Sequence, residues 1–292
     1  MFDNAITGKT KICGVIGDPI AHTVSPAMHN AAFQSIGLDY VYVPFRVASE
    51  ELGKAVAGIR AMNIRGLNVT IPHKVAIIPM LDGLDPLAEK IGAVNTIVNN
   101  EGNLRGYNTD ATGFLQALLE KGVEPEGRNI VILGAGGASR AVTHVLVVRG
   151  ARLTVLNRRL ELGWAEALAG EILDDLNIEV KVLELGDDNL ARALDGAEIL
   201  VNTTSVGMLP NIEETLVPVQ LLSPDIVVFD IVYNPIRTRL LREAAAAGAR
   251  IIGGVDMLAW QGAQAFEKWT GQPAPLELMR DEAIKALVKY ED

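Results

Sequence analysis

Residues 129–139 read NIVILGAGGAS, and a helical pattern follows them from Arg140 to Arg149. The first five residues have the composition of a buried strand, and the next six contain three glycines. A strand, a tight glycine-rich turn and a helix in this order are typical of a loop that holds a pyrophosphate at a helix N-terminus. We therefore predict that a dinucleotide-binding unit begins in the middle of the chain.

The next strand along the chain ends in Asn157, Arg158 and Arg159. A site specific for NAD usually places Asp or Glu about 20 residues after the loop, where it binds the ribose 2′-hydroxyl. Two arginines would instead stabilise a 2′-phosphate, so the pattern favours NADP. Glu161 lies close enough in sequence to weaken this argument, and the alternative is that the arginines only decorate a solvated loop.

Composition bounds the class of protein. The chain has 292 residues, a formal net charge of -10 and 49% hydrophobic residues, which suits two domains of ordinary size. The acidic balance argues against a nucleic-acid partner, because a phosphate backbone must be met by clustered Lys and Arg. We predict no membrane association and a cytoplasmic location, since the sequence has neither an apolar run of about 18 residues nor a signal-peptide pattern.

Disulfide and metal chemistry are not expected from the sequence. The single cysteine, Cys13, lies in the apolar run KICGVI and is predicted to be a buried strand thiol. The four histidines, at positions 22, 29, 73 and 144, have no metal-ligand spacing. We therefore predict no metal site.

Strand and helix patterns alternate along the chain, which predicts an α/β fold with open, largely parallel sheets. One exception is a predicted hairpin formed by residues 92–99 and 103–107. Ser25 is the expected N-cap of a helix over residues 26–36. We predict a substrate-binding domain at residues 1–111, a Rossmann-like NADP-binding domain at residues 112–255, and C-terminal helices at residues 256–292 that pack back on the first domain.

Four polar motifs precede the glycine loop: HTVSPAMHN at residues 22–30, NVTIPHK at 68–74, GAVNT at 92–96 and GYNTD at 106–110. Thr23 and Ser25, two residues apart in an extended segment, would point the same way and could hold a carboxylate. Taken singly, each motif is also explained by capping, turn formation or a solvated lysine. Taken together, they supply a lysine, an aspartate and several amides and hydroxyls, which suit the binding of a polyhydroxylated acid and the movement of a proton.

Further motifs follow the loop: NTTSVGM at residues 202–208, DIVYNP at 230–235 and a segment at 253–261. In this order, over nearly the whole chain, the motifs resemble the shikimate/quinate 5-dehydrogenase family. The resemblance implies an NADP-dependent oxidoreductase that reversibly reduces 3-dehydroshikimate to shikimate, on the route to chorismate and the aromatic amino acids. It allows a monomer or a homodimer, and we expect the homodimer.

The resemblance also implies a role for each matching residue. Lys74 and Asp110 form the catalytic pair, in which Lys74 exchanges the proton while Asp110 orients the hydroxyl and shares that proton. The residues implied to bind the substrate are Thr23, Ser25, Asn68, Thr70, Asn95, Tyr233 and Gln261. The residues implied to line the NADP site are Gly134, Ala135, Gly136, Gly137, Ala138, Asn157, Arg158, Thr203, Met208 and Gly254, the last of them near the nicotinamide. The two-arginine pattern after the second strand adds Arg159 to the predicted NADP site.

Two departures from the family pattern keep alternatives open. Thr23 stands where serine is usual, and its methyl group could shift the preference among shikimate, quinate and related acids. A basic residue usual after the Asn-Arg step is replaced by the stretch LELG at residues 160–163. Arg159 could substitute for it, so NAD remains a secondary cofactor.

Three other classes of protein are alternatives to this interpretation. The nearest is a quinate/shikimate dehydrogenase that uses both cofactors. A non-catalytic ligand sensor on the same fold would have no need of both Lys74 and Asp110. A short-chain dehydrogenase is set aside, because no tyrosine in the chain has a lysine four residues on.

Overall fold

The computed structural model describes residues 6–291, and the side chains of residues 6–289. Within this range the chain forms two compact units, one made of residues 6–113 with 259–290 and the other of residues 114–258. No helix in the described range is long and apolar enough to cross a membrane. The predicted fold class is confirmed, because both units are α/β and the C-terminal helices belong to the first.

The described part of the first unit contains a six-stranded sheet. Its strands are β1 (Lys11–Gly17), β2 (Tyr40–Arg46), β3 (Gly66–Val69), β4 (Gly83–Leu84), β5 (Thr96–Asn100) and β6 (Asn103–Tyr107). They lie in the order β2-β1-β3-β5-β6-β4, and β1 is parallel to β2 and β3.

The other half of this sheet contains two antiparallel pairs and one parallel pair, between β4 and β6. Strand β5 runs antiparallel to β3 and to β6. The β5–β6 pair is a hairpin closed by the two-residue turn Glu101-Gly102, whose φ angles are both positive, as a tight hairpin turn requires. The predicted hairpin is therefore confirmed, and it makes the sheet mixed where strand–helix alternation predicted a largely parallel one.

The helices that accompany these strands are α1 (Ser25–Ser35), α2 (Leu52–Ala61), α3 (His73–Ala76), α4 (Pro86–Ile91) and α5 (Asp110–Glu120). Helix α1 begins at Ser25 and its N-cap is Val24, so the prediction that Ser25 is the N-cap is wrong. The physical reason is Thr23, whose Oγ1 accepts the Ser25 backbone N–H at 3.3 Å and donates to Ser25 Oγ at 3.2 Å. This turn draws Ser25 into the first turn of the helix.

Apolar side chains from β1, β3, β5 and α2 form the core of the first unit. Ile16, Val56, Leu67 and Ile97 belong to this buried cluster, and burial of each such side chain stabilises the fold by about 1.5–3 kcal/mol. Cys13 on β1 is fully buried, as predicted, and this burial raises the pKa of its thiol above the ordinary value. The thiol is therefore a packing group and not a nucleophile.

The second unit alternates strands and helices along the chain: β7 (Asn129–Leu133), α6 (Gly137–Val148), β8 (Arg152–Asn157), α7 (Leu162–Leu176), β9 (Lys181–Glu184), α8 (Asp187–Leu194), β10 (Ile199–Asn202), β11 (Val227–Asp230), α9 (Arg239–Ala246) and β12 (Arg250–Gly253). The strands are parallel and lie in the order β12-β11-β10-β7-β8-β9. This is the order of the Rossmann fold, with a reversal of winding between β7 and β10. Ligands of such sheets bind beyond the carboxyl ends of the strands at that reversal.

The described chain ends with α10 (Gly254–Thr270) and α11 (Leu276–Glu291), and from residue 259 on α10 belongs to the first unit. The indole N–H of Trp269 donates to the carbonyl of Ile97 at 2.9 Å. Gly66 makes room for that ring, since a Cβ at Gly66 would lie 2.1 Å from the indole nitrogen. Likewise, a Cβ at Gly113 would lie 2.8 Å from the backbone nitrogen of Gln261. The first approach seats the Trp269 ring against the sheet, and the second sets the backbone of Gln261 close to α5.

Candidate functional site

Lys74 and Asp110 form a partly buried ion pair in the first unit. Lys74 lies on α3, the short helix after β3, and Asp110 is the first residue of α5, where the helix dipole favours a negative charge. Lys74 Nζ lies 2.6 Å from Asp110 Oδ2, and the two side chains are 14% and 7% exposed. The pair therefore places a proton donor and a proton acceptor together in a region largely withdrawn from water.

Asn95 holds the other oxygen of the Asp110 carboxylate. Its amide nitrogen donates to Asp110 Oδ1 at 2.8 Å and to Thr109 Oγ1 at 2.9 Å, and its oxygen accepts the Thr109 backbone N–H at 2.7 Å. The carboxylate orientation is thus fixed from both sides. Because an ammonium group has three N–H donors, Lys74 keeps donors with which to face a ligand.

Asn68 on β3 extends this network through the sheet. Its amide nitrogen donates to Thr96 Oγ1 at 3.2 Å and to the carbonyl of Asn95 at 3.3 Å, and its oxygen accepts the hydroxyl of Tyr42 at 2.7 Å. Asn95 also donates to Gln261 Oε1 at 3.4 Å. Tyr42 lies outside the four motifs and 26 residues from Asn68, so no local sequence pattern marks it as part of the site.

The remaining predicted substrate residues of this unit are Thr23, Ser25 and Thr70. The hydroxyl oxygens of Thr23 and Ser25 lie 3.2 Å apart. Thr70 directly follows β3, and Gly17 gives it room, since a Cβ at Gly17 would lie 2.4 Å from Thr70 Cγ2. Among the described side chains, no hydrogen bond joins these three residues to the network around Lys74 and Asp110.

The glycine loop of the second unit combines one constrained glycine with one open position. Gly134 has a φ of +100°, and its Cβ would lie 2.9 Å from Thr204 Cγ2, so both conformation and space require glycine. Gly136 is the N-cap of α6, and apart from Gly136 and its chain neighbours no heavy atom of the described residues lies within 4 Å of where its Cβ would be. The first N–H groups of α6 therefore adjoin open space, which fits the pyrophosphate of a dinucleotide.

Two buried hydroxyls hold the loop in this shape. Ser139 occupies the last small-residue position of the dinucleotide-binding pattern, where glycine or alanine is usual. It is fully buried and donates from Oγ to the carbonyl of Gly134 at 2.6 Å. Thr203, just after β10, donates from Oγ1 to the carbonyl of Leu133 at 2.6 Å. The Ser139 side chain thus adds a tie that glycine or alanine at the same position would lack.

Arg158 and Glu161 form an ion pair at the end of β8. Arg158 Nε donates to Glu161 Oε2 at 2.7 Å, and Nη2 donates to Glu161 Oε1. The hydrogen bond from Arg158 lowers the pKa of Glu161 below its usual range. Asn157 donates from Nδ2 to the Glu161 carbonyl at 2.6 Å, which fixes a 3-10 turn over Arg159–Glu161. Both predicted arginines therefore follow β8 directly, with Glu161 beside one of them.

Asp230, the last residue of β11, is a fully buried carboxylate. Its Oδ1 accepts from Asn202 Nδ2 at 2.9 Å and from the Val232 N–H at 3.0 Å, and its Oδ2 accepts from Thr238 Oγ1 at 2.6 Å. Burial raises its pKa to about 6 despite these donors. Asp230 thereby anchors the loop that carries Tyr233 in the second unit, a role that sequence reasoning missed although the motif was recognised.

The other predicted cofactor residues lie on the same unit. Gly254 opens α10, and its Cβ would lie 2.3 Å from the carbonyl oxygen of Ile231. Met208 is half-buried on the loop after β10. Ala135 is buried in the glycine loop, whereas Gly137 and Ala138 form the first turn of α6.

His29 is a buried titratable group outside the hydrogen-bond network. Its ring stacks on Tyr42 with centroids 4.4 Å apart, and neither ring nitrogen has a hydrogen-bond partner among the described residues. Burial lowers its pKa to about 3, so the ring is neutral at physiological pH. In the described range no group of three or more His, Cys, Asp or Glu is placed to hold a metal ion.

A Rossmann sheet with an open glycine loop, together with a buried lysine–aspartate pair, defines an α/β oxidoreductase that uses a dinucleotide. Comparison with known families is more specific. Residues 15–97 match the family model of the shikimate dehydrogenase substrate binding domain, and residues 254–284 match that of the shikimate 5'-dehydrogenase C-terminal domain. The chain belongs to the shikimate dehydrogenase family.

Individual relatives agree with this assignment over nearly their full length. The chain is 50% identical over 274 residues to the shikimate dehydrogenase (NADP(+)) of Dehalococcoides mccartyi, which covers 94% of this chain and 95% of the relative. A crystal structure of a shikimate dehydrogenase in complex with NADP+ superposes with a TM-score of 0.90 at 45% identity, covering 97% and 98% of the two chains. The enzyme from Thermus thermophilus, in complex with NADP(H) and shikimate, gives a TM-score of 0.84 at 40% identity, covering 95% and 100%.

Proposed function

We propose that this protein is an NADP-dependent shikimate dehydrogenase, which reversibly reduces 3-dehydroshikimate to shikimate. The observation that carries the proposal is the Lys74–Asp110 pair, 2.6 Å apart and largely buried, in a chain that is 50% identical to a shikimate dehydrogenase (NADP(+)). The open space above Gly136 supports the cofactor assignment. NADPH, when bound, supplies the hydride that reduces the C3 carbonyl carbon.

In this proposal Lys74 moves the proton. During reduction its ammonium group donates a proton to the carbonyl oxygen that becomes the C3 hydroxyl, and during oxidation its amine takes that proton back. Asp110 does not help Lys74 to release its proton by destabilising the ammonium form, because a carboxylate stabilises a neighbouring ammonium group. Its role is to accept a hydrogen bond from the hydroxyl and to share the proton, with its orientation set by Asn95.

The remaining assignments follow the polar groups of each unit. In the first unit, Asn68, Asn95, Thr70 and Gln261 hold the ring hydroxyls, and the paired hydroxyls of Thr23 and Ser25 hold the carboxylate. We assign Tyr233, which lies in the second unit, to the substrate as well. Apart from Tyr233 and Gln261, we propose that residues 1–111 bind substrate and residues 112–255 bind NADP. The cofactor residues are the glycine loop Gly134–Ala138, the strand-end residues Asn157, Arg158, Arg159 and Thr203, and Met208 and Gly254.

We also propose that the protein acts in the cytoplasm and that it forms a homodimer. Light scattering of the purified protein measures its mass directly, and a mass of one chain at working concentration would contradict the dimer.

Turnover is the test of this function. Shikimate oxidation is followed through the absorbance of NADPH, beside parallel reactions with NAD+ and with quinate. We expect activity with shikimate and NADP+, and a loss of roughly 10²- to 10⁴-fold in kcat for Lys74→Met, the usual range for removal of a proton-transfer group. Lys54→Met is the matched control, because Lys54 is an exposed lysine of the same unit paired with Glu51.

The other outcomes identify the competing classes of protein. Equal kcat/KM with quinate or with NAD+ would indicate a quinate/shikimate dehydrogenase of dual specificity. Thr23→Ser is then the first variant to compare, because it removes the methyl group beside the Ser25 hydroxyl. Binding of shikimate without any turnover would indicate a sensor and would contradict the proposed catalytic pair.

A further inference from the structure

Glu161 forms an ion pair with the guanidinium group of Arg158, which the proposed NADP site needs for the 2′-phosphate. Its two carboxylate oxygens accept hydrogen bonds from Nε and Nη2 of Arg158, in a two-pronged arrangement. A phosphate binds arginine through the same fork of N–H groups. A ligand phosphate at Arg158 must therefore displace Glu161 or share the fork with it.

The carboxylate of Glu161 is well placed to compete. The hydrogen bond from Asn157 to the Glu161 carbonyl at 2.6 Å holds its backbone beside the end of β8. Its side chain is only 22% exposed, whereas that of Arg158 is 69% exposed. The more anchored member of the pair is thus the acid, and the arginine is the member that a ligand can approach.

The neighbouring arginine is in a different state. Arg159 is exposed, and within the described residues its side chain has no hydrogen-bond or ion-pair partner. At this strand end the guanidinium group of Arg158 is therefore paired with a carboxylate, whereas that of Arg159 is available to a ligand. The positive charge available to a 2′-phosphate is about half of what the sequence Arg158-Arg159 suggests.

We propose that Glu161 is a specificity-determining residue, which lowers the preference for NADP over NAD by competing with the 2′-phosphate for Arg158. NAD carries a 2′-hydroxyl in place of the phosphate, so it has no group that must compete with Glu161 or be repelled by it. The inference rests on the proposed function, because it takes Arg158 as the 2′-phosphate site. The lowered pKa of Glu161 keeps the carboxylate charged across neutral pH, so the competition persists there.

Direct binding measurements test the proposal without relying on turnover. The dissociation constants of NADP+, NAD+ and adenosine 2′-phosphate are measured by calorimetry for the full chain and for Glu161→Gln, Arg158→Gln and the double variant. Glu161→Gln is expected to tighten NADP+ and adenosine 2′-phosphate roughly 2- to 10-fold, the range expected for an exposed ion pair plus relief of repulsion. NAD+ binding should change by less than about 2-fold.

A matched control separates this effect from a general change in charge. Glu243 also accepts a hydrogen bond from an arginine, Arg239, on α9 of the same unit. That helix packs on β11 and β12, at the opposite end of the sheet from β9. Glu243→Gln removes one negative charge as Glu161→Gln does, and it should leave all three dissociation constants within about 2-fold.

The variants also distinguish two kinds of failure. If Arg158→Gln weakens NADP+ but Glu161→Gln does not tighten it, the competition proposed here is wrong while the cofactor site stands. If Arg158→Gln leaves NADP+ unchanged, the site itself is wrong and the inference falls with it. In the double variant, the gain from removing Glu161 should shrink, because the arginine it occupied is gone.

Discussion

The hydroxyl of Tyr42 donates a hydrogen bond of 2.7 Å to Oδ1 of Asn68. This contact sets the direction of the Asn68 amide, because an oxygen that accepts from tyrosine leaves the nitrogen to donate on the other side, toward Thr96. The same tyrosine ring stacks on His29. One buried aromatic residue thus orients an amide that we assign to the substrate.

Tyr42→Phe should therefore disturb substrate binding more than the chemical step. The variant keeps the stack on His29 but leaves Asn68 Oδ1 buried without its donor, which should cost about 1–2 kcal/mol in the free energy of unfolding. We expect the KM for shikimate to rise several-fold with a smaller change in kcat, measured by steady-state kinetics. Tyr40→Phe is the control, since the hydroxyl of Tyr40 makes only a long contact of 3.5 Å with the Trp269 carbonyl. Equal effects of the two substitutions would contradict a positioning role for Tyr42.

Two alanine substitutions in the glycine loop should separate stability from cofactor binding. Gly134→Ala places a side chain at φ +100° and against Thr204, which should lower the free energy of unfolding by about 1–3 kcal/mol. Gly136→Ala meets ordinary backbone and open space, so its stability should be nearly unchanged. Its methyl group would fill the room left for the pyrophosphate, and the affinity for NADP+ should fall roughly 10-fold or more. Denaturant titration and calorimetry on both variants check this, and full NADP+ affinity in Gly136→Ala would refute the loop assignment.

His29 should make the protein less stable in acid. Its pKa of about 3 in the folded state lies below the ordinary value of 6.5. On acidification, His29 therefore binds a proton in the unfolded chain at a pH where it stays neutral in the folded chain. The free energy of unfolding should drop by about 2 kcal/mol from this group between about pH 7.5 and pH 5. His29→Phe keeps a stacked ring without the titration. Urea titrations at both pH values measure the free energy of unfolding of each protein. The free energy of unfolding of the variant should rise relative to that of the parent chain as pH falls, and a difference that does not change with pH would disprove the assignment.

Asp230 should act in the opposite sense. Its folded pKa of about 6 lies above the ordinary value of 3.8, so the folded state favours the protonated form and loses stability as pH rises through this window. Between about pH 4.5 and pH 7.5 the loss should be about 2 kcal/mol. Asp230→Asn removes this dependence and sacrifices part of the anchor to Thr238 and Val232. The parent chain should therefore exceed the variant in stability by more at the lower pH; the reverse order would rule out the raised pKa.

Local patterns predicted the second unit well. The glycine loop is encoded within eleven consecutive residues, and the requirement at Gly134 follows from its own backbone conformation. Short helices such as α4 and α8 are hard to predict from sequence, because six and eight residues give little periodicity to detect. Ser25 is not the N-cap, because Thr23 Oγ1 accepts the Ser25 backbone N–H and the carbonyl of Val24 accepts the N–H groups of the first helical turn.

Long-range contacts account for what the sequence could not predict in the site. Lys74 and Asp110 were both singled out, but the 2.6 Å separation of residues 36 positions apart depends on the pairing of β3, β5 and β6. The contact between Tyr42 and Asn68 likewise depends on strands β2 and β3 flanking β1. Asp230 was overlooked because nothing in its motif says that the carboxylate is buried.

The return of α10 and α11 to the first unit has a consequence for the order in which the two units can fold during synthesis. The first unit is discontinuous, and its sheet lacks the indole of Trp269 against Ile97 until synthesis has passed residue 269. The second unit is a single uninterrupted stretch, residues 114–258. During translation, the second unit can therefore complete its internal contacts before the first unit does. The first unit can complete its own contacts only after α10 and α11 have been synthesised.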